Sequence, residues 1–513
     1  MVTDRIEKKL NFFATKPIVS LVIIAAIGLF LRLYYFPYNV PLTLDALNDY
    51  FFYATDTSVL GHLPSNFTVA NNGWPVFLSI FFTVFRFDNA LDYMNLQREI
   101  TISISILTVI PVYFLCNKFF DKSYAIMGAA IIAFEPHLIQ NSLLGITEPL
   151  YIMLIASALA LFFSANVKMV YASFFVISLA TLVRSEGFFV FFPMLIMFIV
   201  RYRRENKKVA KFIAAAAIFI LTLVPMALFR ISSQGTDSLS SRVLGTSHDI
   251  LSQAASKGSL FSHIITAAEN IVKFSGWAII PVFIFFIPVG ICLILKNRSQ
   301  ENIAIIIIII SMFLPVLYAF SFIPDPRFIY PLFPLFCIIS LLSIKKLGDK
   351  IKNRNILLTL IVGGILLSSA VFLDIKKYDY EHQSEAFGIA KYVVNISQGT
   401  NDYYPEDSYL RPAEIPSQWP ILSSSIASPK IISTAGFDSL SSYLENSKTS
   451  GLTHLVIDDS KNRPNYLKDV FDHEEKYPFL IKVFDSLDHG FKYHVKVYKI
   501  DYDKFQSTVA KNG

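Results

Sequence analysis

Asp45 and Asp49 stand four residues apart in Pro41-Leu-Thr-Leu-Asp-Ala-Leu-Asn-Asp-Tyr50, just after the first long apolar run of the chain. Carboxylates beside a membrane-length segment are costly and persist where they bind an ion, a substrate or a proton. Similar groups recur downstream: Glu135 and His137 around Pro136, Glu148 before Pro149, Arg184 with Glu186, and Asp325 with Arg327. Carboxylates can take a proton from a hydroxyl or hold a metal ion, and arginines can grip a phosphate through paired hydrogen bonds. Each group also has a plain structural use. Asp45 or Asp49 could cap a helix predicted from Asn48 to Leu60, and Glu148 could cap the helix after it. Glu135 and His137 could serve only the break at Pro136. Arg184 could pair with Glu186, and Asp325 with Arg327 in a proline-bounded turn.

The elements that must position these groups are helices in a membrane. Of 513 residues, 54% are hydrophobic and 16% charged, where a soluble domain carries roughly 25% charged residues. The mean hydropathy is +0.50, and the apolar residues come in blocks. A crossing needs about 20 of them. The pattern predicts a polytopic α-helical membrane protein of about eleven crossings: 18–36, 99–116, 123–141, 149–165, 169–183, 188–200, 211–230, 276–295, 302–322, 328–344 and 355–373. The first reads as a retained signal anchor: it exceeds a typical signal-peptide apolar core and no small-residue cleavage site follows. The net charge of +6 lies in short loops between apolar segments, which does not indicate nucleic acid. Cys116, Cys292 and Cys337 lack motif spacing and read as small buried hydrophobes.

Placing the N-terminus in the cytoplasm puts 20 Lys and Arg in inside loops and 7 in outside loops, as the positive-inside rule requires. The same rule decides Val76–Phe85. Counting it as a crossing would turn every later basic loop outward. It therefore reads as an interfacial or re-entrant helix within the first outer loop, 37–98. In the outer loop 231–275, apolar residues recur at helical spacing over 258–274, which predicts a helix lying on the membrane surface or on the protein's own outer domain. The membrane domain is assigned to 1–375. Residues 376–513 lack a crossing and read as a small extracytoplasmic α/β domain: a strand at 429–434, a helix at 439–448, a strand at 453–459 in a βαβ pattern, and strands at 479–484 and 493–500. No glycine-rich phosphate loop occurs there. The sequons at Asn66 and Asn395 fall on the outer side, and the one at Asn297 inside.

In this threading the chemical groups, distant in sequence, all end on the outer face. Their order resembles the GT-C membrane glycosyltransferases, a superfamily that includes protein O-mannosyltransferases, aminoarabinose transferases and oligosaccharyltransferases. Leu44-Asp-Ala-Leu-Asn-Asp-Tyr-Phe-Phe-Tyr-Ala54 is similar to their first-loop acidic motif. Asp325-Pro-Arg-Phe-Ile-Tyr-Pro-Leu-Phe-Pro334 is similar to the segment that opens a late helix in many of them. Arg184-Ser-Glu-Gly187 resembles an Arg-Pro-Glu-Gly element, with Ser185 in place of proline. The likeness covers 18 to about 345.

The resemblance implies a transferase that moves a monosaccharide from a polyprenyl-phosphate-linked donor to a protein, lipid or glycan acceptor. Asp45 would be the catalytic carboxylate, with Asp49 sharing or holding that role. Glu148 would be the second-loop acid, with Glu135 and His137 as further metal or supporting groups. Arg327 and Arg184 would hold the donor phosphate, with Glu186 and Asp325 in support. A divalent metal ion is the one cofactor implied. The oligosaccharyltransferase signature Trp-Trp-Asp-x-Gly is missing, since the tryptophans are Trp74, Trp277 and Trp419; that favours transfer of a single sugar. The rival is a transporter or lipid-linked-sugar flippase, which favours repeated halves and charges at mid-membrane. No internal repeat is visible. The topology predicts that a cysteine placed at Ser439 is labelled by an impermeant maleimide from the outside only; labelling from the inside only would invert the threading.

Overall fold

The computed structural model describes residues 16–42, 45–65, 69, 71–87, 90–235, 260–297, 299–320, 325–397, 404–405, 431–432, 436–459 and 463–512. The chain divides into two compact units. One comprises Met1–Phe36, Leu44–Arg86 and Asn95–Ile375, and the other Pro37–Thr43, Phe87–Met94 and Lys376–Gly513.

The first unit is a helical bundle. It opens with α1 (Pro17–Tyr34), whose proline sits in the first turn, where no backbone donor is lost. A π-helical turn, Ala46–Phe51, runs into α2 (Phe52–Leu60), which ends on Gly61 at φ 71°. The predicted helix from Asn48 is thus two pieces of different pitch. Next come α3 (Gly73–Val84), α4 (Ala90–Leu107), α5 (Val109–Cys116), α6 (Lys122–Phe134) and α7 (Pro136–Ser142). α8 (Glu148–Phe162), α9 (Val167–Val183), α10 (Phe188–Tyr202) and α11 (Lys208–Gln234) follow. α12 (Leu260–Ile279), α13 (Ile287–Lys296), α14 (Gln300–Phe320), α15 (Phe333–Gly348) and α16 (Arg354–Ser397) complete the series.

Among the described residues, seven helical stretches are long and apolar enough to cross a membrane: Pro17–Tyr34, Ala90–Cys116, Ser185–Tyr202, Lys208–Ser233, Gln300–Phe320, Pro326–Gly348 and Arg354–Lys377. They coincide with seven of the eleven expected segments. The other four fall on the shorter apolar helices α6, α8, α9 and α13. α6 is cut by Pro136, which cannot continue an α-helical hydrogen-bond ladder. The 12 residues of α3 rise about 18 Å, well short of a bilayer core of about 30 Å.

One boundary needs correction. The expected surface helix 258–274 and crossing 276–295 are divided elsewhere: α12 runs unbroken to Ile279. The breaker is Pro281, not Ser275, and α13 restarts with Pro288 in its first turn. Residues 258–259 lie outside the described residues, as do Asn66 and Thr68 of the first sequon.

Glycines set the closest approaches in the bundle. A Cβ on Gly73 would stand 2.6 Å from the carbonyl carbon of Leu182, so α3 lies directly on the backbone at the end of α9. Gly290 likewise lets α13 sit on the Ile339 carbonyl of α15. Gly128 leaves room for Cys116 and Cys337, both buried and unoxidised.

In the second unit, β1 (Tyr404–Pro405) pairs parallel with β2 (Ile431–Ile432). After α17 (Leu440–Thr449) comes β3 (His454–Asp458), then α18 (Asn465–Asp472), β4 (Leu480–Asp485), β5 (Val495–Ile500) and α19 (Tyr502–Asn512). The larger sheet has the order β3-β5-β4 and is antiparallel throughout. This overturns the βαβ reading among the described residues. β2 does not join β3; β5 takes its edge, with Leu455 opposite Tyr498 and Ile457 opposite Lys496. The reason is the two-faced burial of these strands. Leu455, Ile457 and Tyr498 bury against α17 and α18, while Val456, Val495 and Val497 bury on the other face with Ile389 and Phe484. Ser439 accepts the Ser442 amide as the N-cap of α17, so the exposed Glu445 is the gentler site for a cysteine label.

Gly73→Ala should cost about 1–3 kcal/mol by overpacking against backbone. Thermal unfolding in detergent should show the loss, and Gly276→Ala, which meets nothing within 4 Å, should show little.

Candidate active site

Helix ends from distant segments create the site, and polar side chains of α4 tie two of them together. Gln97 donates to Gly145 O at 2.6 Å and to Ala46 O at 3.1 Å, tying the second outer loop to the π-helical turn. Arg98 Nε donates to Leu143 O at 3.0 Å, and Thr101 Oγ1 to Ser142 O at 2.7 Å. Loop backbone in an apolar surrounding needs such donors, because no water satisfies it. These three residues were missed in the sequence: Gln97 and Arg98 fall in the predicted outer loop 37–98, and only Thr101 in the crossing 99–116, where a polar side chain was the available signal.

The loop so held presents Glu148 at the start of α8. Glu148 is 4% exposed in its side chain and takes Arg184 Nη1 at 2.6 Å. The other fork of Arg184 donates to Glu186 Oε1 at 2.7 Å. Thr147 Oγ1 adds a contact to Glu148 at 3.3 Å. Glu148 therefore does not cap α8 with its side chain; the helix has no side-chain cap. The Arg184 guanidinium lies 5.9 Å from the Tyr151 ring centre and 5.5 Å from that of Phe328, so rings as well as carboxylates line it.

Phe328 follows Arg327, and the same short 3-10 stretch carries both. Asp325 accepts the Arg327 backbone N–H at 2.9 Å and its Nε at 2.6 Å. Arg327 also reaches Asp45, with Nη2 3.6 Å from Oδ2. The Asp45 side chain is half exposed, and at the head of the π-helical turn it makes no cap hydrogen bond. Asp49 is half-buried in that turn. Tyr50 sits between the two halves of the cluster; burial first, then the Glu148 charge, pushes its phenol well above the usual range. The structure thus gathers Asp45, Glu148, Arg184, Glu186, Asp325 and Arg327. The expected local pairs, Arg184 with Glu186 and Asp325 with Arg327, are both present, and each is also joined to an acid from a distant segment.

Glu135 and His137 form a separate dyad. Glu135 Oε2 caps α7 through the Leu138 amide at 2.7 Å, and Oε1 meets His137 Nδ1 at 2.8 Å. Both are buried, with the imidazole among the rings of Trp277, Tyr330 and Phe372. Arg32, fully buried, closes the break by donating to Ala133 O at 2.9 Å and Ser142 Oγ at 3.1 Å. The residues do not fit the expected metal centre. Among the described residues no group of three His, Cys, Asp or Glu gathers to hold an ion. Glu148 is committed to Arg184, and Glu135 to a cap and an imidazole.

Residues 75–229 match a family model described as dolichyl-phosphate-mannose-protein mannosyltransferase. No curated protein matches the chain. Solved structures do. ArnT from Cupriavidus metallidurans bound to undecaprenyl phosphate is 12% identical with a TM-score of 0.55, over 94% of this chain and 98% of that one. The Archaeoglobus fulgidus oligosaccharyltransferase AglB, in complex with an inhibitory peptide and a dolichol-phosphate, is 15% identical with a TM-score of 0.55, over 92% and 73%. The same organism's oligosaccharyltransferase in complex with Zn and sulfate is 17% identical with a TM-score of 0.54, over 86% and 68%.

Removing Glu148 leaves the buried Arg184 guanidinium with Glu186 as its one remaining carboxylate partner among the described residues. Glu148→Ala should destabilise the detergent-solubilised protein by about 3 kcal/mol, whereas Asp45→Asn, at a half-exposed pair, should change stability by less than about 1 kcal/mol. Paired thermal melts measure the difference. The chain shares the fold of these solved structures: residues 75–229 match the family model, and among the described residues seven helical stretches are long and apolar enough to cross a membrane.

Proposed function

We propose that this chain transfers a single sugar from a polyprenyl-phosphate-linked donor to an acceptor hydroxyl on a protein, lipid or glycan. Its fold is that of membrane glycosyltransferases, and two neighbours of that fold were solved with polyprenyl phosphates bound. The observation that carries the reading is the Asp45–Arg327 pair at 3.6 Å. It sets a half-exposed carboxylate beside a cation at the edge of a buried charge cluster. Asp45 takes the proton of the acceptor hydroxyl as its oxygen attacks the anomeric carbon. The bond from that carbon to the phosphate oxygen breaks, and polyprenyl phosphate leaves with its negative charge. One displacement inverts the anomeric centre.

Arg327 is the cation for the leaving phosphate. Its contact with Asp45 is long, and exchanging a 3.6 Å contact for a phosphate costs less than breaking a 2.6 Å one. Arg184, gripped on both forks by Glu148 and Glu186, is committed to those acids and positions them behind Arg327. Asp49 is the alternative base on the same turn. Three tryptophans that form no Trp-Trp-Asp motif support one sugar rather than a preassembled glycan. The site lies on the outer face, with the N-terminus in the cytoplasm and residues 376–513 outside.

The test is transfer of labelled sugar from synthetic polyprenyl-phosphate donors in proteoliposomes. Asp45→Asn should lower the rate about 10²- to 10⁴-fold with folding intact. Normal transfer by that variant would remove Asp45 from the base role. Donor that crosses the bilayer without being consumed would favour a flippase instead.

A further inference from the structure

A cavity of about 300 Å³, lined by none of the charge-cluster residues, opens between three helices. It is lined at three- and four-residue spacing from Ser20 to Ile27 on α1, from Ser123 to Phe134 on α6, and from Asn355 to Val362 on α16. Each lined face begins with a polar residue and continues apolar, except for Thr359 one turn into α16. The cavity's polar lining is therefore concentrated where the three helices start, and the rest is greasy apart from Thr359. From Ser123 to Phe134 it runs about 16 Å, the length of a lipid chain rather than of a compact metabolite. Ile23 and Ile27 on its edge are more than a third exposed, so the cleft is open along its side.

The polar end is basic. Lys16 precedes α1, Lys122 opens α6 and Arg354 opens α16. Lys16 and Lys122 are exposed. Arg354 shares one guanidinium hydrogen bond with Asp121 at 3.0 Å, and residues 345–354 hold five bases against the single acid Asp349. Charge at this end and grease beyond it match one class of molecule. We propose that this cleft is a binding site for an anionic membrane phospholipid, with its chain along α1, α6 and α16 and its phosphate among Lys16, Lys122 and Arg354. Bases at that end put the bound lipid in the leaflet opposite the charge cluster. None of these residues belongs to the transfer site, so the inference stands whether or not that reading does.

The experiment is native mass spectrometry of the full chain released from nanodiscs that contain equal phosphatidylglycerol and phosphatidylcholine. The wild type should retain one phosphatidylglycerol at least tenfold over phosphatidylcholine. Ile27→Trp, at the open edge, should abolish retention, and Lys16→Gln with Lys122→Gln should remove the preference while the fold, followed by gel filtration and melting, is unchanged. Equal retention of both lipids by the wild type overturns the proposal, as does unaltered retention by Ile27→Trp. So does displacement of phosphatidylglycerol by equimolar undecaprenyl phosphate, which would make the cleft a site for a polyprenyl chain.

Discussion

Arg184 cannot enter an apolar bundle alone. An isolated buried charge carries a large desolvation cost, which opposite charges at good geometry can offset. Here the offset comes from two carboxylates at 2.6 and 2.7 Å, one from the head of α8 and one from two residues downstream. Much of the site's architecture follows from meeting that requirement. Glu148 must be held at the mouth of its helix, so loop 143–147 must be fixed. The loop is fixed from α4 by Gln97, Arg98 and Thr101. Gln97 also holds the π-helical turn that follows Asp45. The acid proposed as the base is thus indexed to the charge pair through one glutamine.

The bulk architecture was legible because membrane burial imposes a coarse code. Apolar blocks of the right length had to become helices, and each of the eleven expected segments overlaps a helix. The code is silent about where a helix breaks when two prolines compete. The expected surface helix ended at 274 and the crossing 276–295 ran through both Pro281 and Pro288, whereas α12 continues to Ile279. It is also silent on strand order. The βαβ pattern assumed that neighbours in sequence pair, and β5 won the edge of β3 because its alternate residues bury on both faces.

The site was legible in membership more than in wiring. Arg184 with Glu186 and Asp325 with Arg327 lie two residues apart, so their pairing could be read locally. The longer ties, Arg184 to Glu148 and Arg327 to Asp45, span distant segments that only the fold brings together. Glu135 and His137 were grouped with these acids on predicted side alone. Their burial and capping geometry set them apart. Gln97 was invisible because it fell in the predicted outer loop 37–98, where an amide carries no chemical signature of its own.

Phe328 links the two arginines in a way the charges do not. It lies against Arg184 while its neighbour Arg327 faces Asp45, and Pro326 and Pro331 stiffen the few residues that carry both. Such a stretch transmits displacement instead of absorbing it. Whatever engages Arg327 therefore acts on the same short stretch that holds a ring 5.5 Å from the Arg184 guanidinium, so the two halves of the cluster share one piece of backbone.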